Sequence, residues 1–240
     1  MTRQERALKT RRMILDAAGA VFAERGYETA TVLEFLSQAG VTKGAFYFHF
    51  SSKEEVALAL LSEQVPQQDL LAAQKFRLQE LVDVHLVLAC RLSRSARARG
   101  CFRLALEQGQ DGRYRRDPYV ERARFNAALL TAARNGGELL PGVEVCETAE
   151  FLVSSFMGLH LMSQVLSDYA DLEHRIALLF RNVLPGIADA EVLNELDLRS
   201  DRGSRLLSET GEAAAEPARR PRSSTGAERT AAPAVDPICR

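Results

Sequence analysis

The sequence predicts an all-α protein in two folded parts, with a helix-turn-helix near the N-terminus and a larger helical domain behind it. Three observations carry that prediction. Apolar residues recur at helical spacing wherever a period is readable, and no convincing two-residue alternation interrupts them. Glycines and capping boxes punctuate the pattern at short intervals, as they do at helix ends. Two short segments also meet at Ala39-Gly40-Val41, the form of two helices joined by a tight turn.

The elements follow in order. Ile14, Ala18, Val21 and Phe22 make one apolar stripe, and Gly26 is suited to the left-handed turn that ends such a helix. Thr31-x-x-Glu34 is a capping box opening a helix whose apolar face is Val32, Phe35, Leu36 and Ala39, with Gly40 at its end. A third short helix starts near Thr42, and Ser52-x-x-Glu55 opens a fourth. Further on, Leu81, Val84, His85 and Leu88 share a face, as do Phe102, Ala105 and Leu106. Pro118 suits the first turn of a helix running to about Arg134 and closed by Gly136-Gly137. A long helix is predicted over 144–167, with Leu152, Phe156, Leu159 and Ser163 along one side. Another is predicted over 172–183, ended by Pro185-Gly186. Past residue 200 the chain turns to Ser, Ala, Pro and Arg, too apolar-poor to offset the entropy of ordering. The predicted division is a helix-turn-helix domain over 1–53 with a linking helix to about 64, a larger helical domain over 65–199, and a disordered tail over 200–240.

The 240 residues are 46% hydrophobic and 26% charged, ordinary values for a globular protein. The start, MTRQERALKTRR, lacks the apolar segment of a secretory signal, and the apolar run Phe151 to Met162 is broken by Ser154, Ser155 and Gly158. A cytoplasmic protein with no membrane partner is expected. Cys90, Cys101, Cys146 and Cys239 form no CxxC pair, so reduced thiols are expected rather than a metal site. No Gly-rich phosphate loop, HExxH or GxSxG is present, which argues against an enzyme and against a cofactor. Net charge is -1, but residues 1–53 hold eight Lys and Arg against five acids, a local bias of the kind that phosphate binding needs.

The informative stretch is Thr31 to Phe50. In a helix-turn-helix the second helix enters the major groove with its N-terminal residues leading. Those residues are Thr42, Lys43, Gly44 and Ala45: a hydroxyl and an ammonium to reach base edges or phosphates, then small residues that let the backbone approach. Thr31, Tyr47, His49 and Lys53 are candidates for flanking phosphates. Lys53 opens the next helix, where backbone amides already favour an anion. Val41, Phe46, Phe48 and Phe50 are read as packing. Arg91, Arg94, Arg97, Arg99 and Arg103 run without an intervening acid and are either a solvated face or a link between the domains. Leu88, Tyr119, Arg122, Phe125 and Phe156 are the candidate ligand contacts, to be weighed against plain core packing.

The strings GYETATV and AGVTKGAFYFHFSSKEE resemble the N-terminal domain of TetR-type transcriptional regulators over roughly residues 8–60. The resemblance implies a homodimer whose two C-terminal helices per subunit, 144–167 and 172–183 here, form a four-helix bundle. VTKGAFYFHFSSKE, together with RARGCFRLA, PYVER and SSFMGLH, is similar to the γ-butyrolactone receptor group of repressors. The resemblance therefore implies a double-stranded operator and a small-molecule effector. Those receptors place a tryptophan shortly after a Pro-aromatic pair; this chain has no Trp, and Arg122 follows Pro118-Tyr119 in that place. That departure is nearer to the pseudo-receptors, which answer to antibiotics or their precursors.

Overall fold

A computed structural model describes residues 2–62, 73–107 and 117–209. The architecture is all helical: α1 (Arg3–Thr29), α2 (Val32–Ala39), α3 (Lys43–His49), α4 (Lys53–Ser62), α5 (Arg77–Arg94), α6 (Ala96–Glu107), α7 (Asp117–Asn135), α8 (Val145–Ser167), α9 (Leu172–Val183), α10 (Ala190–Glu195) and α11 (Arg202–Glu209), with a 3₁₀ turn at Leu184–Gly186. Among the described residues there is no strand, only an isolated bridge between Leu139 and Ala188.

Two cores organise these helices. The first gathers Ile14, Ala18, Val21 and Phe22 of α1 with Phe35, Phe46, Phe50 and Leu60. The second joins α5, α7, α8 and α9 through Leu81, Leu86, Leu130, Leu152, Phe156, Ile176 and Phe180. Helix α6 belongs to both. Its Cys101 and Leu104 are buried in the first core, while Ala98 and Phe102 pack on the second. The division at residue 53 is therefore not a physical boundary: α4 and half of α6 complete the N-terminal core. The α1–α6 contact is close because Gly100 sits on the Gly19 carbonyl, where any Cβ would collide.

The regular run of α1 stops at Gly26, as its sequence predicts, and a short second turn follows it within Arg3–Thr29. Gly26 takes φ +77 and kinks the run, and one further turn leads to the cap at Ala30. The tail prediction needs a larger correction. Residues 202–209 form α11, which packs on α5 with Leu207 buried beside Val87 and Cys90. Charges add to this apolar contact. Arg202 donates to both carboxylate oxygens of the fully buried Asp83, the Nη2 bond at 2.8 Å. Asp197 accepts from Arg199 (2.9 Å), Arg202 (3.2 Å) and Arg205 (2.6 Å), which hold its carboxyl far below the usual range. The remainder of the predicted tail, 210–240, and the end of the predicted linking helix lie outside the described residues.

Candidate nucleic-acid interface and effector core

The helix-turn-helix is built by local caps. Thr31 closes a full capping box: its Oγ1 accepts from Glu34 N–H at 3.4 Å and donates to Glu34 Oε2 at 2.9 Å, and Thr31 N–H donates to the same oxygen at 2.9 Å. These bonds keep the Glu34 carboxyl below its usual pKa. Gly40 takes the left-handed conformation (φ +65) that turns the chain, with its N–H on the Leu36 carbonyl. Thr42 caps α3 by accepting from Ala45 N–H at 3.2 Å. Both threonine hydroxyls thus hold the motif's shape, and Thr42 retains its O–H for an outside acceptor. At the second predicted capping box Ser52 Oγ accepts from Glu55 N–H, but the Glu55 carboxylate returns to Ser51, not Ser52.

Helix α3 then presents one face to solvent. Lys43 and Gly44 lead, followed one turn on by Tyr47 and Phe48, while Phe46 and Phe50 point into the core. Lys43 Nζ lies 5.9 Å from the Tyr47 ring, and a Cβ at Gly44 would meet open space. Ala45 and His49 are half-buried, and His49 stands edge-on to Phe48. Phe48 corrects the packing assignment: it is 73% exposed, on the outward face beside Tyr47. Its exposure was legible in principle, because it falls four residues after Gly44, on the face that Gly44 opens. Arg6, Lys9 and Arg12 add an exposed basic arm along the start of α1.

Lys53 is also corrected. Its ammonium donates to the carbonyls of Tyr27 (2.8 Å), Ala30 (3.0 Å) and Glu28 (3.4 Å), and it lies 4.4 Å from the centroid of the Tyr27 ring. An ammonium has three donors, and all three are committed to the C-terminal end of α1. Lys53 clamps α4 to α1 rather than reaching outward for phosphate.

The arginine run divides by task. Arg97 pairs with Asp16 on α1 at 2.7 Å, and Arg103 donates to the Ala23 carbonyl at 2.9 Å and to Glu107 at 2.5 Å. Arg99 donates to the carbonyls of Leu92 and Ser93 and lies over the Tyr169 ring at 5.0 Å. The run thus ties α6 to α1 on one side and to the C-terminal core on the other.

Inside that core stands a group of polar residues among aromatics. His85 donates from Nδ1 to the Leu81 carbonyl (2.8 Å) and meets Phe156 and Phe180 edge-on. His160 lies 4.3 Å from Phe102, centroid to centroid, and its Nε2 has no partner. Burial pushes both imidazoles down to about 4, helped by Arg122 at His85 and by Arg99 at His160. Arg122 and Asn126 stand one turn apart on α7, on the stripe that continues to the buried Leu130 and Ala133. The predicted ligand residues therefore separate. Phe156 and Leu88 belong to this core, with Arg122 facing its His85. Tyr119 instead lines an outer groove of about 730 Å³ between α7 and α8, with Val120, Ala123, Ala127, Val153 and Met157. Phe125 is half-buried on α7 and lines neither. The sequence reading missed Asn126 and His160; polar residues on an otherwise apolar stripe were the available signal.

Helices α8 and α9 leave an apolar face uncovered. Phe151, Leu161, Met162, Val165 and Leu166 of α8 and Leu178 of α9 are all exposed. By length and composition α8 is long and apolar enough to cross a membrane, yet one side of it lies in the protein core.

A capped helix-turn-helix with an outward basic and aromatic recognition face, joined to a separate helical core, defines a DNA-binding regulator. The comparisons identify its kind. Residues 14–60 match the family of bacterial regulatory proteins, tetR family. The chain is 37% identical to the A-factor receptor protein of Streptomyces griseus over 193 residues, 80% of this chain and 69% of that one. Among solved structures it superposes on full-length TylP, a TetR regulator from Streptomyces fradiae (40% identity, TM-score 0.74, 85% of this chain and 99% of that one). It also superposes on CprB of Streptomyces coelicolor in complex with its biological operator sequence (27% identity, TM-score 0.67, 88% of this chain and 100% of that one). The protein belongs to the TetR family of transcriptional regulators.

Proposed function

We propose that the protein is a homodimeric repressor that binds a pseudo-palindromic operator and leaves it when a small molecule enters the C-terminal core. In this reading it acts in the cytoplasm on genes of secondary metabolism, as its resemblance to the γ-butyrolactone receptor group implies. The observation that carries the proposal is the double membership of α6. Phe102 packs on Phe156 and His160 in the effector core, while Cys101 and Leu104 of the same helix are buried against α1. A rigid element shared by two cores transmits a shift in one to the angle of the other.

The dimer reading is supported by the uncovered face of α8 and α9. An apolar stripe of this size is a subunit surface in soluble proteins, and Gly158, in open space at its middle, lets a partner helix approach. Two recognition helices about one DNA turn apart, roughly 34 Å, then read the two half-sites. An effector that fits better when the DNA-binding domains are splayed lowers operator affinity by its differential binding energy, typically about 1–3 kcal/mol. Lys43, Gly44, Tyr47 and Phe48 are the groups assigned to the groove, with Thr42 and His49 toward the flanking backbone. A gel shift on the gene's own upstream region, challenged with extracts of the producing culture, tests the reading. A retarded band released by extract is expected; no retarded band, or one that no extract component releases, overturns it.

A further inference from the structure

Arg122 is a half-buried charged group at the edge of an aromatic core, turned toward His85. Burial lowers its pKa, and among the described residues it has no hydrogen bond or ion pair. A guanidinium does not escape such a position by losing its proton. A buried charge without a counter-charge carries a desolvation penalty that proteins normally relieve with an acid. Among the described side chains no carboxylate relieves it, and the nearby His85 is neutral.

A second, independent observation lies one turn along α7. Asn126 is 0% exposed, and neither its Oδ1 nor its Nδ2 has a partner. Across the core His160 Nε2 is also unpartnered. Native proteins rarely leave buried polar atoms unsatisfied, and those left so mark a place for water, an ion or a ligand. The atoms present are two kinds of N–H donor, one amide oxygen and one ring nitrogen, in the core that also holds Phe102 and Phe156, 6.1 Å apart centroid to centroid.

We propose that the effector is an aromatic carboxylate, its anion held by Arg122 and the Asn126 amide and its ring against Phe102 and Phe156. A carboxylate matches the planar guanidinium fork with two parallel bonds, which a neutral ester or lactone does not. The aromatic walls supply the apolar contact that the rest of the molecule needs. This inference rests on the effector reading above and adds the effector's chemical class.

The test uses the full-length chain and three acids of increasing size, benzoate, 2-naphthoate and 9-anthroate, each beside its methyl ester. Calorimetry is expected to show at least one acid binding about tenfold or more tighter than its ester, as a charge-assisted pair implies. Arg122→Gln should abolish that preference, bringing acid and ester to equal affinity. Asn126→Leu provides a second readout, because an unpartnered buried amide is replaced by a side chain that belongs in the core. It should raise the melting temperature and weaken acid binding together. Equal binding of acid and ester, retention of the acid preference in Arg122→Gln, or no binding of any of the three acids overturns the proposal. Operator affinity measured without ligand separates the two readings. Acid-selective binding in a protein that holds no operator overturns the repressor reading alone, and operator release by esters as readily as by acids overturns this proposal alone.

Discussion

The carboxylate of Glu107, at the end of α6, accepts the backbone N–H of Tyr27 at 2.7 Å, eighty residues away in sequence. The same carboxylate pairs with Arg103 at 2.5 Å and lies where any side chain on Gly26 would have to be. It therefore meets the kink of α1 at the one residue of that helix whose φ of +77 suits only glycine, and it ties α6 to the helix-turn-helix domain.

Glu107→Ala removes that tie. Loss of one charge-assisted hydrogen bond and exposure of the Tyr27 N–H should cost about 1–3 kcal/mol of stability. Effector affinity should be nearly unchanged, while the effector's ability to release DNA falls. Parallel calorimetry and operator titration check this; unchanged release in Glu107→Ala would show that coupling runs elsewhere.

Lys43 and Lys53 should behave oppositely. Lys43→Ala keeps the melting temperature and costs about 1–3 kcal/mol of operator affinity, with relaxed base choice at one position per half-site. Phe48→Ala should likewise leave stability alone and weaken operator binding. Lys53→Ala instead strands three carbonyls and lowers stability, with the salt dependence of DNA binding unchanged. Thermal melts and salt titrations of the three variants decide the assignment. A flattened salt slope in Lys53→Ala would restore it as a phosphate contact.

The C-terminal helix belongs to the fold. Arg202→Ala leaves the buried Asp83 without its counter-charge, a change of about 3–5 kcal/mol in comparable pairs. A chain ending at residue 209 should melt like the full chain, whereas one ending at 200 should melt well below it. Equal melting of the two truncations would contradict the structural role of α11.

Stability should fall in mild acid. The unfolded chain protonates histidine near 6.5, while burial holds His85 and His160 near 4 in the fold. Between those values the unfolded state binds protons that the folded state refuses, so stability is lost as pH falls from about 6.5 toward 4. The loss for His85 is on the order of 3 kcal/mol. Melting temperatures at pH 7.5 and 5.0 should separate clearly, and less so for His85→Leu. A flat wild-type profile would contradict the burial of these rings.

What was legible from the residues alone follows the range of the interactions. Helices α2, α3 and α9 were readable because their ends are set by neighbours: Thr31 with Glu34, Gly40, Thr42, and Pro185-Gly186. Lys53 was misread because its partners lie 23 to 26 residues away, and nothing local distinguishes a clamp from a phosphate contact. Helix α11 was missed because composition counts apolar residues, and its anchors include Arg202 on Asp83 and the arginines on Asp197. Arg122 was recognised as a candidate, but its partnerless neighbours Asn126 and His160 became meaningful only when the helices brought them into one core.

The central claim, a dimer whose grip on its operator is set from the C-terminal core, is tested most directly by one titration. Fluorescence anisotropy of labelled upstream DNA is followed across salt, with and without the releasing small molecule. Two protomers per operator half-pair are expected, and log K should fall against log[salt] with a slope of about -5 to -9 if roughly 6–10 phosphates are neutralised. The small molecule should lower K several-fold or more at every salt concentration. Salt-independent binding, or an operator affinity that no ligand of the core alters, would contradict the account.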